Sequence, residues 1–567
     1  MNSRFYLFPI FAVLAFPASS FCATPGASPD PLLGIMRKEL NRAHAALASA
    51  NPAPYFVSYS VVDHTAFGIT GSQGALYNST QARQRSADVA VRLGSPTFDN
   101  THGQARYSGL STATIPVEND PDAIARVLWH LTDREYQKAS QAYLKVKTDS
   151  EVRAKEEDAS ADFSAQAAVT RIDAAEADVS LDKKAGEDLV RAVSGEFRKY
   201  PNLTQSVVLL QADQLRHYFV STEGSEVLRP EKIVRLMIQA ETQADDGMEL
   251  LRVESFQASS TKKLPALPVI LAKVATMAAD LEKLRAAPVA EPFSGPAMLS
   301  GRAAAVLFHE VLGHRLEGQR QRGDEEGQTF TKKIEQRILP EFLSVVDDPT
   351  LAQLSGMELS GWYEADEEGQ PAQRVELIHD GVLKSFLMSR MPVKGFDKSN
   401  GHGRAQPGYM PAGRQGNLIV ESSRQIAEQQ LRQQFVQEIK KQGKSYGLYF
   451  EDIEGGFTLT TRQLPQAFQV LPVMVWRVYA DERPDELVRG VNIVGTPLAA
   501  MSHIIATGDR EHVFNGICGA ESGNIPVSAA APAMLFSEIE VQRKDQGHDR
   551  PPLLPPPSLT AEIQKAQ

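Results

Sequence analysis

Leu307-Phe308-His309-Glu310-Val311-Leu312-Gly313-His314 sets two imidazoles around a carboxylate inside a stretch that reads as helix. Imidazole is a preferred zinc ligand, and a carboxylate beside such an ion can take the proton of a water whose pKa has been pulled towards neutral. The usual helical form of the pattern, H-E-x-x-H, separates its histidines by four residues, about 40° around the axis. Here the separation is five, about 140° at the same helical pitch. A regular helix would not aim both rings at one ion. The spacing therefore predicts a local irregularity: either a π-type bulge, or a helix that ends near Gly313 and releases His314 onto a freer backbone. The plainer alternative is a helix whose histidines only pack or face solvent, in a chain that holds twelve of them.

A catalytic zinc normally keeps three protein ligands and leaves one position for water. The chain has two cysteines. Cys22 lies inside what reads as a targeting segment, and Cys518 lies in Asn515-Gly516-Ile517-Cys518-Gly519-Ala520-Glu521-Ser522-Gly523. One cysteine in the folded part cannot form an internal disulfide. Flanking glycines let the backbone turn sharply, and zinc favours the thiolate. The alternative for Cys518 is a small buried apolar side chain.

Together these residues resemble the TldD/PmbA family of metallopeptidases, over roughly residues 300 to 541. Further landmarks are Leu316-Glu317-Gly318, Val345-Val346-Asp347-Asp348, Asp366 to Pro371, Gly401-His402-Gly403-Arg404, Arg414 with Asn417, Gly447-Leu448-Tyr449, Gly455-Gly456, Gly490 to Gly495 and the loop from Gly516 to Pro526. The resemblance implies that His309, His314 and Cys518 bind Zn²⁺ and that Glu310 serves catalysis. It also implies a peptide substrate, unfolded or modified, cleaved inside a homodimer or a heterodimer with a PmbA-type subunit. The PmbA branch lacks the motif, which puts this chain on the TldD side. Departures occur at Gln319-Arg320-Gln321-Arg322, where the family has an acidic and a basic residue, and between Gly403 and Asn417. Arg404 and Arg414 are candidate partners for carboxylates or carbonyls. His402 and His503 are candidate oxyanion stabilisers by residue type alone. Two other readings stay open: a catalytically idle exported binding or assembly subunit with a structural metal, and a zinc hydrolase of non-peptide amides.

Arg4 precedes an apolar run from Phe5 to Phe16, followed by Pro17-Ala18-Ser19-Ser20. This reads as a signal peptide over residues 1–23, cleaved after Ser20 or Ala23, and predicts an exported, periplasmic protein. No later segment offers a long charge-free apolar run, so no membrane span is expected. The formal net charge of −11 argues against a nucleic-acid partner, because phosphate binding needs a basic face.

At 567 residues the chain is long enough for at least two cores. A helical lead-in over 32–49 precedes strand-like alternation at 55–61 and 86–93, with Gly/Ser/Asn turns between. A charged helix is expected over 121–160, its end from Lys145 to Gln166 a solvated face. Helices near 183–199 and 262–286 bracket strands near 205–222 and 231–241. The motif helix is expected from about 290, and beyond 355 the pattern is mostly strands. The fold class is α+β: an α/β N-terminal domain over 30–289, then a mainly β domain over 290–545 that carries the metal-binding helix. A proline-rich tail follows over 546–567.

Overall fold

The computed structural model describes residues 30–103, 109–152, 159–173, 182–322, 326–462, 467–544 and 554. The signal-like segment with Cys22 and nearly all of the proline-rich tail lie outside them. Helix α1 (Pro31–Leu47) leads into a hairpin of two long strands, β1 (Pro54–Ser72) and β2 (Ala75–Ser95). The short strand β3 (Ser111–Ile115) and helix α2 (Pro121–Val152) follow, then α3 (Lys183–Glu196), β4 (Gln205–Ser221), β5 (Glu226–Gln243), β6 (Glu249–Ala258) and α4 (Leu267–Ala286). The main strands form an antiparallel sheet in the order β2-β1-β4-β5, extended by β3 beside β2 and β6 beside β5.

Strict alternation gives this sheet two faces. Val57, Tyr59 and Val61 of β1, with Ala87, Val89 and Val91 of β2, pack in one core with Leu32, Met36, Ile124 and Leu128 of α1 and α2. The opposite face carries Ser58, Ser60, Asp88 and Ala90. Residues 62–85, expected as turns, are mostly strand, and the reversal is confined to Gln73-Gly74, both with positive φ. Pairing with β4 along Ser58–Gly71 overrides the local preference of Gly68 and its neighbours for turns. Helix α2 is described as far as Val152, the next six residues of the expected helix lie outside the described residues, and Asp162 and Phe163 are buried rather than solvated.

The second sheet uses β7 (Phe293–Leu299), β8 (Leu343–Asp347), β9 (Val375–His379), β10 (Asn417–Ser422), β11 (Tyr446–Thr458), β12 (Phe468–Tyr479), β13 (Val491–Gly495), β14 (Ile504–Ala520) and β15 (Gly523–Arg543). Its order is β9-β8-β10-β15-β13-β12-β11-β7, with β14 in a hairpin with β15. Because β7 pairs with both β11 and β15, part of the sheet closes on itself. Helix α5 (Gly301–Val311) follows β7, so the chain enters the second half through a strand and not through the motif helix expected from 290. Every residue of α5 except Arg302 is buried, as its run of apolar side chains from Ala303 to Phe308 requires. Helix α6 (Glu428–Lys441) covers the sheet with Leu431, Phe435 and Ile439.

The halves share packing. Met474 and Leu487 join Ile270 and Val274 of α4 in one core, and Arg252 of β6 donates to Asp452 of β11 at 2.6 Å. Among the described residues no helix is long and apolar enough to cross a membrane.

Candidate metal centre

Ser300 caps α5, its hydroxyl accepting from the Ala303 N–H at 3.1 Å. Ala303, Ala304 and Ala305 let the helix pack closely against β15 and β11, and this delivers His309 and Glu310 to its C-terminal end. The predicted irregularity takes the second of its two forms. The α-helical pattern ends with Leu312 N–H bonding to Phe308 O, and Leu312 has φ −109°. Gly313–Leu316 then form a 3₁₀ turn, with Arg315 N–H bonding to Leu312 O at 2.9 Å. Gly313 is needed by close approach: a Cβ there would lie 2.0 Å from Gln415 Oε1. Arg315 pins the helix end to the strand above it, donating to Val311 O, Thr458 Oγ1 and Leu459 O.

The tighter turn swings His314 back beside His309, with ring centroids 5.0 Å apart. Cys518 arrives from β14, near the end of the hairpin with β15, where it pairs with Ile525. One donor atom from each of His309, His314 and Cys518 lies within 4.8 Å of the other two, and all three side chains are buried. Cys518 Sγ is 3.3 Å from His314 Nε2. His309 Nδ1 is buried without a hydrogen-bond partner, an orphan that a bound cation would satisfy. Two imidazoles and a thiol suit Zn²⁺, so the residues present fit such an ion.

The charges are mutually adapted. Burial would raise the Cys518 thiol, yet His314 and His309 hold it well below the ordinary thiol range. Burial would lower both imidazoles, yet Cys518 raises each, and Glu317 raises His314 further. Behind His314, Glu317 Oε1 lies 3.0 Å from Nδ1, fixing the tautomer that leaves Nε2 towards the thiol. Burial would raise Glu317 too, but Arg320, His314 and Arg414 hold its carboxyl down at about 2. Arg320 donates to Glu317 and Glu521, both at 2.7 Å. Arg414 donates to Cys518 O at 2.9 Å while its Nε stands 3.5 Å from Glu317 Oε1.

His309, Glu310, His314 and Cys518 line one cleft with Arg320, Glu454 and Gly455 to Thr460. A Cβ on Gly456 would lie 2.9 Å from Glu310 Cγ, so glycine makes room for the carboxylate. Exposed Phe457 and Ile517 flank this opening.

The other sequence candidates lie elsewhere. His402 is fully buried against Asp347 Oδ1 at 3.2 Å, and Asp347 accepts the Gly416 and Asn417 N–H groups, so this pair braces the segment that carries Arg414 and Gln415. His503 Nδ1 faces Ser537 Oγ at 3.3 Å, outside the cleft. Arg404 donates to the carbonyls of Gln415 and Pro526. Arg404 and Arg414, candidate partners for carboxylates or carbonyls, are both buried, and their carbonyl partners, with the Glu317 carboxylate beside Arg414, belong to the chain itself. The sequence reading named Glu317 only as a landmark, without a role, and passed over Glu454. Glu317 stands three residues after His314, one turn on, and that spacing was the available signal.

Residues 294–543 match the PmbA/TldA metallopeptidase C-terminal domain. The chain is 27% identical over 251 residues, 43% of its length and 48% of the relative's, to a Metalloprotease TldD homolog of Haemophilus influenzae. It is 27% identical over 240 residues, 42% of its length and 51% of the relative's, to a Metalloprotease of Archaeoglobus fulgidus. The chain thus spans about half the length of the curated relatives it matches. Its fold is similar to TldE from Thermococcus kodakarensis, with TM-score 0.57 and 11% identity over 90% of this chain and 100% of that one. A solved Thermotoga maritima protein gives TM-score 0.58 at 15% identity, covering 89% and 99%.

Proposed function

Since this chain is a member of the TldD/PmbA family, we propose that it is a zinc-dependent peptidase acting on unfolded or modified peptides outside the cytoplasm. The observation that carries this reading is the convergence of His309, His314 and Cys518 within 4.8 Å, with Glu310 on the same cleft. Those three residues would hold the ion, and among the described residues no fourth donor joins them. When bound, zinc supplies Lewis acidity to a scissile carbonyl and to water.

Glu310 is the general base: its carboxylate takes the proton of the attacking water and then delivers it to the leaving amine. Glu317 orients His314, while Arg320 and Arg414 hold Glu317 charged in a buried place. The cleft admits an extended chain past Gly455 and Gly456, whose lack of side chains suits recognition through the peptide backbone. The proposed partner is a second subunit, another copy or a PmbA-type chain, as the resemblance to the family implies. Export rests on the apolar segment from Phe5 to Phe16.

The test is the metal content of the purified chain beside its Cys518→Ser variant, each then incubated with unfolded peptides of graded length. The expected result is about one zinc per chain, lost from the variant, with cleavage that depends on peptide length and stops in the variant. Failure to take up zinc from excess metal would overturn the reading in favour of an assembly subunit. Zinc with cleavage of small amides alone would replace the peptide substrate with a non-peptide one.

A further inference from the structure

A second cavity lies between the two halves, away from the metal centre. Its floor is the face of the first sheet turned away from α1 and α2. In the middle of that face Ser58 pairs with Ala90 and Ser60 with Asp88, so four small or short side chains stand where a covered sheet usually carries large ones. Its roof comes from the second half: the turn Asp366–Glu368, Arg390 and the loop Ala405–Pro411. Phe56, Phe163 and Phe219 close it with apolar surface.

The charges in this cavity do not balance locally. Each cation is already engaged: Arg92 with Asp99 at 2.7 Å, Arg229 with Glu367 at 2.5 Å, Arg390 with Glu223 at 2.8 Å, and Lys138 with Gly109 O. Among the described residues Asp88 has no cationic partner. It is 8% exposed, its Oδ2 accepts the Gly408 N–H at 2.9 Å, and its buried Oδ1 has no hydrogen-bond partner. Burial raises the Asp88 carboxyl above its ordinary range, against the Gly408 amide and the Thr112 hydroxyl, as expected of a carboxylate short of a counter-charge. Asp366 and Glu368 add two further acidic groups to the opposite wall.

We propose that this inter-sheet cavity is a binding site for a small organic cation, a protonated primary amine on an apolar body, whose ammonium group is received by Asp88 beside Ser60. An amine of this kind supplies the missing charge to Oδ1 and fills the space above Ser58, Ser60 and Ala90 with apolar surface held by the three phenylalanines. The site is independent of the metal and of peptide cleavage.

The probe is phenethylamine, with 2-phenylethanol as its neutral counterpart, titrated calorimetrically into the whole chain, its Asp88→Asn variant and its Ser60→Leu variant. The amine is expected to bind the unaltered chain, about tenfold more tightly than the alcohol and about tenfold more tightly than it binds Asp88→Asn. The alcohol is expected to bind the unaltered chain and Asp88→Asn alike, and Ser60→Leu, which fills the space without touching Oδ1, is expected to lose both ligands. Thermal unfolding of each variant establishes that it folds. Should Asp88→Asn fail to fold, the amine-to-alcohol ratio and Ser60→Leu decide the matter. No binding of the amine to the unaltered chain, equal affinity for amine and alcohol, undiminished amine binding to folded Asp88→Asn, or undiminished binding of either ligand to folded Ser60→Leu overturns the proposal.

Discussion

Glu317 Oε1 stands 3.0 Å from His314 Nδ1, the glutamate side chain without solvent access and the imidazole buried, three positions apart in the sequence. A carboxylate so placed sets which nitrogen of the imidazole is available and raises its basicity as a ligand. Glu317→Gln is therefore expected to weaken zinc binding by about 10- to 100-fold while leaving the three donors in place. Competition with a chelator of known affinity measures this, and an unchanged affinity would remove Glu317 from the account.

Glu310 shares the cleft with the donor set without belonging to it. Glu310→Gln keeps the shape and loses the base, so turnover of an unfolded peptide should fall by about 10²- to 10⁴-fold with metal content unaltered. Retained activity in metal-replete variant protein would sink the assignment.

Gly313 and Gln415 occupy the same space, the side chain of one lying where a Cβ of the other would be. Gly313→Ala should cost about 1–3 kcal/mol of stability by overpacking. Gln415→Ala should recover part of that cost in the double variant, because the clash is with the Gln415 amide and not with backbone. Chemical denaturation of the four proteins closes the cycle, and strict additivity would show that the strain lies elsewhere.

Asp366, buried, and Glu368, half-buried, stand together in the roof of the inter-sheet cavity. Burial, then the charge of Glu368, raises Asp366 well above 3.8. Burial raises Glu368 above 4.5, although Arg390 opposes it. A carboxyl raised in the folded state contributes stability that is fully present below its ordinary value and is lost as pH rises through the folded value. Stability should therefore decline from about pH 4 upward on account of this pair, and Glu368→Gln should flatten the decline. Urea midpoints measured across that range provide the check; parallel curves for the two proteins would refute it.

Much of the local architecture was legible because it follows from short-range pattern. The helix over Leu267–Ala286 and the strands Gln205–Ser221 and Phe468–Tyr479 announce themselves by periodicity and by Pro and Gly punctuation. The five-residue separation of His309 and His314 foretold a broken helix, although it left open whether the break was a bulge or an end. The reading failed where pairing overrode propensity: in the hairpin of Pro54–Ser72 with Ala75–Ser95, in the strand Glu249–Ala258 that was not anticipated, and in the strand Phe293–Leu299 that precedes the motif helix.

By itself the sequence determined which side chains could form a zinc-type donor set, because residue type and spacing within one turn are local properties. Only the tertiary structure decided that Cys518 meets His314 across 204 residues of chain, that Glu317 stands behind that histidine, and that Asp88 faces a cavity rather than a cation. Those relationships depend on strand register and on closure of one sheet against another, and register is settled by the packing of whole faces.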